Sequence, residues 1–333
     1  MRVMAMGLRW RSVTLSVIAT VLLAGASSRA LPEDSPPGQA NAPTPLTAVS
    51  PLVEEVLVTA PEPRYVAPTT RDRIGRIWAP VMINGRGPYR LVLDTGASRS
   101  AITGAVVDEL ALPIQTDTVR LQGATGSAVV SAVRVKTLEI GELLIENTIM
   151  PIVVDAFGGA QGVLGGEGLE GKRIVIEFHR DRIDIARSHR QLAPQGFSVV
   201  PFKYRPAQGM RVSAMVGSIK VIALIDTGAQ MTVGNLALRN ALARRRGGQG
   251  ESDLEVVGVT EDIQQAASAR IPSIVAGELI VQNARILFSD LYIFEHWKLE
   301  SQPAVLIGMD VLGVLDTLVI DYRLGQLQIR TRR

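Results

Sequence analysis

The chain has no cysteine in its 333 residues. That excludes a disulfide framework, a thiol nucleophile and any cysteine-based metal site, so stability must come from packing. Aromatic residues are scarce, at 4%, and 35 Lys and Arg against 32 Asp and Glu leave a formal net charge of +3. With few rings to stack on bases and no long basic stripe, the composition argues against a nucleic-acid partner. The run Arg244-Arg245-Arg246 before Gly247-Gly248 reads as a solvated loop after a helix. Three histidines, His179, His189 and His296, are scattered without the spacing of metal ligands, so no metal is expected; no organic cofactor is expected either. Long apolar runs are missing too, apart from Val13–Ala24, which is short for a membrane span. It follows Arg2, Arg9 and Arg11 and ends in small residues, the pattern of a secretory signal peptide over residues 1–30, with cleavage after Ala26 or Ala30. An uncleaved anchor is the alternative. No cysteine follows Leu22-Leu23-Ala24-Gly25, which excludes a lipid anchor. The expected location is periplasmic or secreted, with no membrane span after cleavage.

What the chain does have is a repeated tetrapeptide. Asp94-Thr95-Gly96-Ala97 recurs as Asp226-Thr227-Gly228-Ala229. A single Asp-Thr-Gly is expected by chance about 0.1 times in a chain of this length, so the context decides. The copies follow the apolar runs Tyr89–Leu93 and Val221–Ile225, in each case a buried strand ending in a carboxylate on a glycine turn. The surroundings repeat as well. An apolar pair closed by glycine follows each copy, Val163-Leu164-Gly165 and Leu306-Ile307-Gly308. A two-strand pattern then closes each half, from Ile174 to Ile185 and from Leu318 to Ile329. This is an internal duplication. The offset is 132 (226 minus 94) at the Asp residues and 144 (318 minus 174) at the closing strands, which implies loop insertions in the second half.

The reading along the chain is a Pro-rich linker at 31–72, a first lobe at 73–190, a join at 191–198 and a second lobe at 199–331. The linker could instead act as an inhibitory pro-segment, and Val53–Thr59 could add a strand. Asn84-Gly85 between apolar runs predicts a hairpin. Helical spacing appears at Ile102–Leu110 and Leu236–Ala243, and short β-rich runs with glycine turns fill the rest. The expected fold class is all-β with short helices, as two similar closed barrels whose Asp loops face one another. Gly166-Glu167-Gly168-Leu169-Glu170-Gly171 has the glycine spacing of a dinucleotide fold, but a strand follows it rather than a helix, so it is read as a turn beneath the first Asp loop.

On these motifs the chain, over about residues 73–331, resembles a bacterial member of the retropepsin-like and pepsin-like aspartic protease superfamily in its two-lobed single-chain form. The resemblance implies one catalytic carboxyl per lobe, Asp94 and Asp226. Two carboxylates a few ångströms apart cannot both ionise cheaply, so they share a proton and can activate a water against a peptide carbonyl. Gly96 and Gly228 permit the sharp turn and close backbone approach to the carboxylates. Thr95 and Thr227 are implied to brace the opposing loop. Ala97 and Ala229 stand where many relatives carry Ser or Thr, and without that hydroxyl donor a less acidic working pH is expected. Leu121–Val129, with Gly123, Ala124, Thr125 and Gly126 at its tip, is either the substrate flap or an ordinary surface hairpin, and Val257–Thr260 is its counterpart. The implied partner is a polypeptide substrate bound by a monomer. The alternatives are a peptide-binding module that has lost catalysis, a dimer pairing lobes between chains, and Asp residues that merely cap helices.

Overall fold

The computed structural model describes residues 15–16, 22–24, 65–68, 70–71 and 77–332, except 141–142, 156–158, 206–207, 247–251, 258–262 and 272. Most of the signal-peptide reading and residues 31–64 therefore lie outside the described residues. Within them, Leu15–Ser16 pairs with Val256–Val257 and Leu22–Ala24 pairs with Arg120–Gln122.

Period-two alternation builds the first lobe. Along the strand Ile77–Ile83 the residues Ile77, Ala79, Val81 and Ile83 enter the main core, while Trp78 faces a smaller cluster with Val92, Ala97 and Leu121. The turn Asn84-Gly85 has positive φ at both residues, 51° and 71°, and returns the chain as the strand Arg86–Leu93, matching the twist that a tight hairpin requires. Six strands then close into a barrel. Ala132–Ile140 pairs with Leu143–Val153 and Leu143–Val153 with Ala101–Thr103. Ala101–Thr103 pairs with Gly162–Leu164, and Gly162–Leu164 with Arg86–Leu93. Ile77–Ile83 completes the ring by pairing with both Arg86–Leu93 and Ala132–Ile140. The all-β fold expected from the sequence is the fold observed.

The second half repeats this order. Gly209–Val216 pairs with Ile219–Ile225, which runs parallel to Ala304–Ile307 as Arg86–Leu93 runs parallel to Gly162–Leu164. Where the first lobe has the single long strand Ala132–Ile140, the second has the two strands Ile263–Arg270 and Ser273–Ala276. The predicted helices appear at Gly104–Leu110 and Leu236–Arg246.

The halves meet in a shared sheet. Lys172–Glu177 lies antiparallel to Leu315–Asp321 with Ile174 opposite Ile320, Val175 opposite Val319 and Ile176 opposite Leu318. This register is self-complementary about Val175 and Val319, as in an isologous interface, although one chain supplies both sides. At one edge of the sheet Tyr65–Pro68 pairs with Arg182–Ile185, and on the other side Ser198–Pro201 pairs with Gln326–Ile329 and its strand runs on into the second lobe. The stretch read as linker up to residue 72 is thus ordered at its end, and the first lobe's repeat starts before Arg73. Tyr65–Pro68, at the edge of the sheet, ends in proline, which an edge strand tolerates. Proline content masked a strand in the sequence.

Candidate active site

Asp94 and Asp226 end equivalent strands. Each sits where a strand from the duplicated glycine motif runs parallel to its own: the Asp94 N–H donates to the Leu164 carbonyl at 3.0 Å, and the Asp226 N–H to that of Ile307 at 3.1 Å. The glycine after each apolar pair is required by the crossing chain. A Cβ on Gly165 would lie 2.5 Å from the Arg99 carbonyl oxygen, and one on Gly308 would lie 2.6 Å from that of Met231.

Both carboxyl groups are buried, each residue at 1% exposure. Asp94 Oδ1 accepts the N–H groups of Gly96 at 2.8 Å and Ala97 at 2.9 Å; Asp226 Oδ1 accepts those of Gly228 at 2.9 Å and Ala229 at 3.1 Å. The Asp94 carboxyl lies close enough to that of Asp226 to act on it directly. Burial first, and the neighbouring Asp94 carboxyl second, push the Asp226 carboxyl well above its ordinary range, against the opposing pull of the Gly228 and Ala229 N–H groups. One proton is retained where two negative charges would otherwise be forced together in a medium that cannot solvate them.

The threonines lock the loops to each other. Thr95 Oγ1 donates to the Ile225 carbonyl at 2.9 Å and accepts the Thr227 N–H at 3.1 Å. Thr227 Oγ1 donates to the Leu93 carbonyl at 2.7 Å and accepts the Thr95 N–H at 3.1 Å. Four bonds, all buried, cross the lobe boundary directly behind the carboxyls, so the position of one Asp is fixed relative to the other.

This arrangement, two buried Asp-Thr-Gly turns facing each other, accords with the comparison to known families. A family model described as aspartyl protease matches residues 79–167 and 212–311, more than half of the chain and one Asp-Thr-Gly-Ala copy in each segment. The chain belongs to the aspartyl protease family. No curated protein matches it.

In this aspartyl protease family member, a second layer of polar residues holds the Asp loops, and the sequence reading did not single it out. Six residues after each Asp stands a hydroxyl, Ser100 or Thr232, and two residues after each motif glycine stands a carboxyl, Glu167 or Asp310. Ser100 Oγ accepts the Gly165 N–H at 3.1 Å, and Thr232 Oγ1 accepts the Gly308 N–H at 3.1 Å. Glu167 Oε1 accepts the Ser100 N–H at 2.6 Å; Asp310 Oδ2 accepts the Thr232 N–H at 3.0 Å, and its Oδ1 accepts Thr232 Oγ1–H at 2.7 Å. Burial pushes both carboxyls up. The matching offsets in the two halves were the available signal, hidden because Ser is paired with Thr and Glu with Asp.

The pseudo-symmetry fails at one place behind Asp94. Gly166 donates its N–H to the Ala97 carbonyl at 2.9 Å, as Met309 does to Ala229 at 2.9 Å. A Cβ on Gly166 would lie 2.5 Å from the Tyr204 hydroxyl oxygen. Tyr204 packs edge-to-face on Tyr322, with centroids 5.0 Å apart. Burial and the nearby Glu167 push the Tyr204 phenol up to about 12. The glycine run read as a turn beneath the first Asp loop makes this contact.

The segment containing Gly123, Ala124, Thr125 and Gly126 is the tip of a hairpin formed by Val119–Gln122 and Ser127–Val130. Its tip rests on the second lobe. Ala124, 0% exposed, clusters with Leu291, Ile293, Phe294 and Ala229, and its carbonyl accepts the Ile293 N–H at 3.1 Å. The supporting segment 289–303, with the helix Tyr292–His296, is longer than its counterpart 154–161 in the first lobe and holds part of the second half's insertion. The counterpart hairpin joins Ser252–Val257 to Ile263–Arg270, and its tip, 258–262, lies outside the described residues. Among the described residues no group of His, Asp and Glu could hold a metal ion, and no helix is long and apolar enough to cross a membrane.

Proposed function

We propose that this protein is an exported aspartic endopeptidase that hydrolyses peptide bonds with a water molecule activated between Asp94 and Asp226. The single observation that carries the reading is the contact between the two buried carboxyls, with the Asp226 carboxyl raised by burial and by Asp94.

The pair holds one proton, drawn toward Asp226. Ionised Asp94 takes a proton from the water as its oxygen attacks the peptide carbonyl carbon, while protonated Asp226 donates to the carbonyl oxygen as negative charge develops there. The resulting tetrahedral species breaks its C–N bond when the proton now on Asp94 passes to the leaving nitrogen. The gem-diol proton returns to the pair, and one proton again serves both carboxyls. The backbone N–H pairs at Gly96/Ala97 and Gly228/Ala229 hold each Oδ1 in place throughout. The hairpin 119–130 acts as the flap over an extended polypeptide, which binds by strand-like backbone hydrogen bonds. Export rests on the N-terminal signal-peptide pattern, and catalysis by a monomer rests on both Asp loops belonging to one chain.

The test is incubation of the mature protein with a mixed peptide library beside Asp94→Asn and Asp226→Asn. Cleavage by the wild type and its loss in each variant are expected. Cleavage that survives in either variant would rule out the shared-proton mechanism, and a wild type that binds peptides without cutting them would make the protein a binding module.

A further inference from the structure

We propose that Glu167 and Asp310 are positioning residues, each anchoring the Asp loop of its own lobe through a hydroxyl, and that they do so with unequal demands on their two oxygens. The inference rests on the protease reading for its kinetic consequences, but its geometry stands independently.

The two anchors follow one plan. A carboxyl oxygen receives a backbone N–H from the residue six positions after the Asp, Ser100 or Thr232. The hydroxyl of that same residue receives the N–H of Gly165 or Gly308. That glycine directly follows the residue whose carbonyl holds the Asp N–H. Both ends of the Asp loop are thereby tied to one short segment: its start through the backbone bond to Leu164 or Ile307, its end through the anchor. Because the carboxyl oxygens of Asp94 and Asp226 must stay in contact, a displacement of either loop by a fraction of an ångström weakens the shared proton site.

The anchors differ in saturation. In the second lobe both oxygens of Asp310 are engaged: Oδ1 accepts Thr232 Oγ1–H at 2.7 Å and the Val311 N–H at 2.9 Å, and Oδ2 accepts the Thr232 N–H at 3.0 Å. In the first lobe Oε1 of Glu167 takes the Ser100 N–H at 2.6 Å and the Ser100 hydroxyl also bonds this carboxyl, whereas Oε2 is buried with no hydrogen-bond partner among the described residues. An amide can replace a carboxyl where one oxygen accepts and the other position is unused. It cannot where both positions accept, because in either orientation its NH2 would face a donor N–H, that of Thr232 or that of Val311. The carboxyl at 167 is therefore replaceable by Gln, and the carboxyl at 310 is not replaceable by Asn.

The experiment compares Glu167→Gln, Glu167→Ala and Asp310→Asn with the wild type by two measurements. Steady-state cleavage of one peptide should show kcat and KM of Glu167→Gln within about twofold of wild type. Glu167→Ala and Asp310→Asn should lose at least tenfold in kcat with KM changed less than threefold, because an anchor orients the carboxyls without touching substrate. Amide hydrogen exchange, which needs no catalysis, should quicken at least tenfold over 226–232 in Asp310→Asn and over 94–100 in Glu167→Ala, but not in Glu167→Gln. Normal exchange and kcat in Asp310→Asn, or Glu167→Gln as impaired as Glu167→Ala, would overturn the assignment. If the wild type cuts no peptide, the protease reading falls, and the exchange pattern alone decides the anchors.

Discussion

The carboxyl group of Asp94, in the first lobe, lies against the α-carbon of Gly228, in the second: a Cβ built on Gly228 would overlap Asp94 Cγ and lie 2.8 Å from its Oδ1. The glycine is needed for space across the lobe boundary rather than for its own φ, which lies outside the left-handed region. Gly228→Ala should force the two Asp loops apart, abolish cleavage and cost about 1–3 kcal/mol of overpacking strain. Kinetics together with denaturant unfolding check this, and wild-type kcat in Gly228→Ala would show that the loops can separate without consequence.

The threonine brace makes a second prediction. Thr227→Ala leaves the buried Thr95 N–H and Leu93 carbonyl without their cross-lobe partner, at about 1–3 kcal/mol for each group left unsatisfied. Thr227→Ser keeps the hydroxyl and should recover most of the loss. Chemical unfolding of the three proteins measures it; equal midpoints for the Ala and Ser variants would mean that the hydroxyl bonds contribute nothing.

Stability should also depend on pH through the carboxyl pair. Asp226 binds its proton more tightly folded than at its ordinary value of 3.8. Its contribution is therefore fully present below that value and is lost as pH rises through the folded one, at about 1.4 kcal/mol per unit of separation. Asp226→Asn does not titrate, so its stability relative to wild type should grow from about pH 4 upward. Thermal midpoints of both proteins across that range read the effect, and a constant difference between them would contradict it.

A hydroxyl placed beside the pair should act in the opposite direction. Ala229 is fully buried and its N–H already points at Asp226 Oδ1. Ala229→Ser adds a donor to the ionised form, so the pH profile of kcat/KM should move toward acid. An unmoved acid limb would separate the residue at 229 from the working pH.

The hairpin tip offers a fifth test. Ala124→Asp would bury a charge in the apolar contact with Ile293 and Phe294, which costs several kcal/mol unless the tip lifts away. Release should raise hydrogen exchange at the Ile293 amide, now bonded to the Ala124 carbonyl, and, on the proposal that this hairpin is the flap, lower kcat. Unchanged protection at Ile293 would show that the tip contact is not maintained in solution.

Much of the architecture was legible before folding was considered. The strands that end at Asp94 and Asp226, the hairpin at Asn84-Gly85 and the short helices follow from local signals whose range is a few residues. The strand at Tyr65–Pro68 was not legible, because four residues with a terminal proline look like linker until the edge of Arg182–Ile185 stands beside them. Glu167 and Asp310 escaped notice for a related reason: an isolated acidic residue after a glycine reads as solvated, and burial alone gives it a structural task. The docking of Ala124 on the second lobe carried no sequence signal at all, since alanine in a hairpin tip is compatible with open solvent.

The amino-acid order by itself determined that two carboxylates would end two equivalent strands on glycine turns, because strand periodicity, turn chemistry and duplication are local properties that repeat wherever the residues repeat. Only the tertiary structure decided that these carboxyls touch, which hydroxyls tie their loops together, and how the two halves differ around them. Those relations depend on atoms more than a hundred positions apart being packed out of water, where the cost of an unpaired charge or donor selects one arrangement among the many that the local pattern allows.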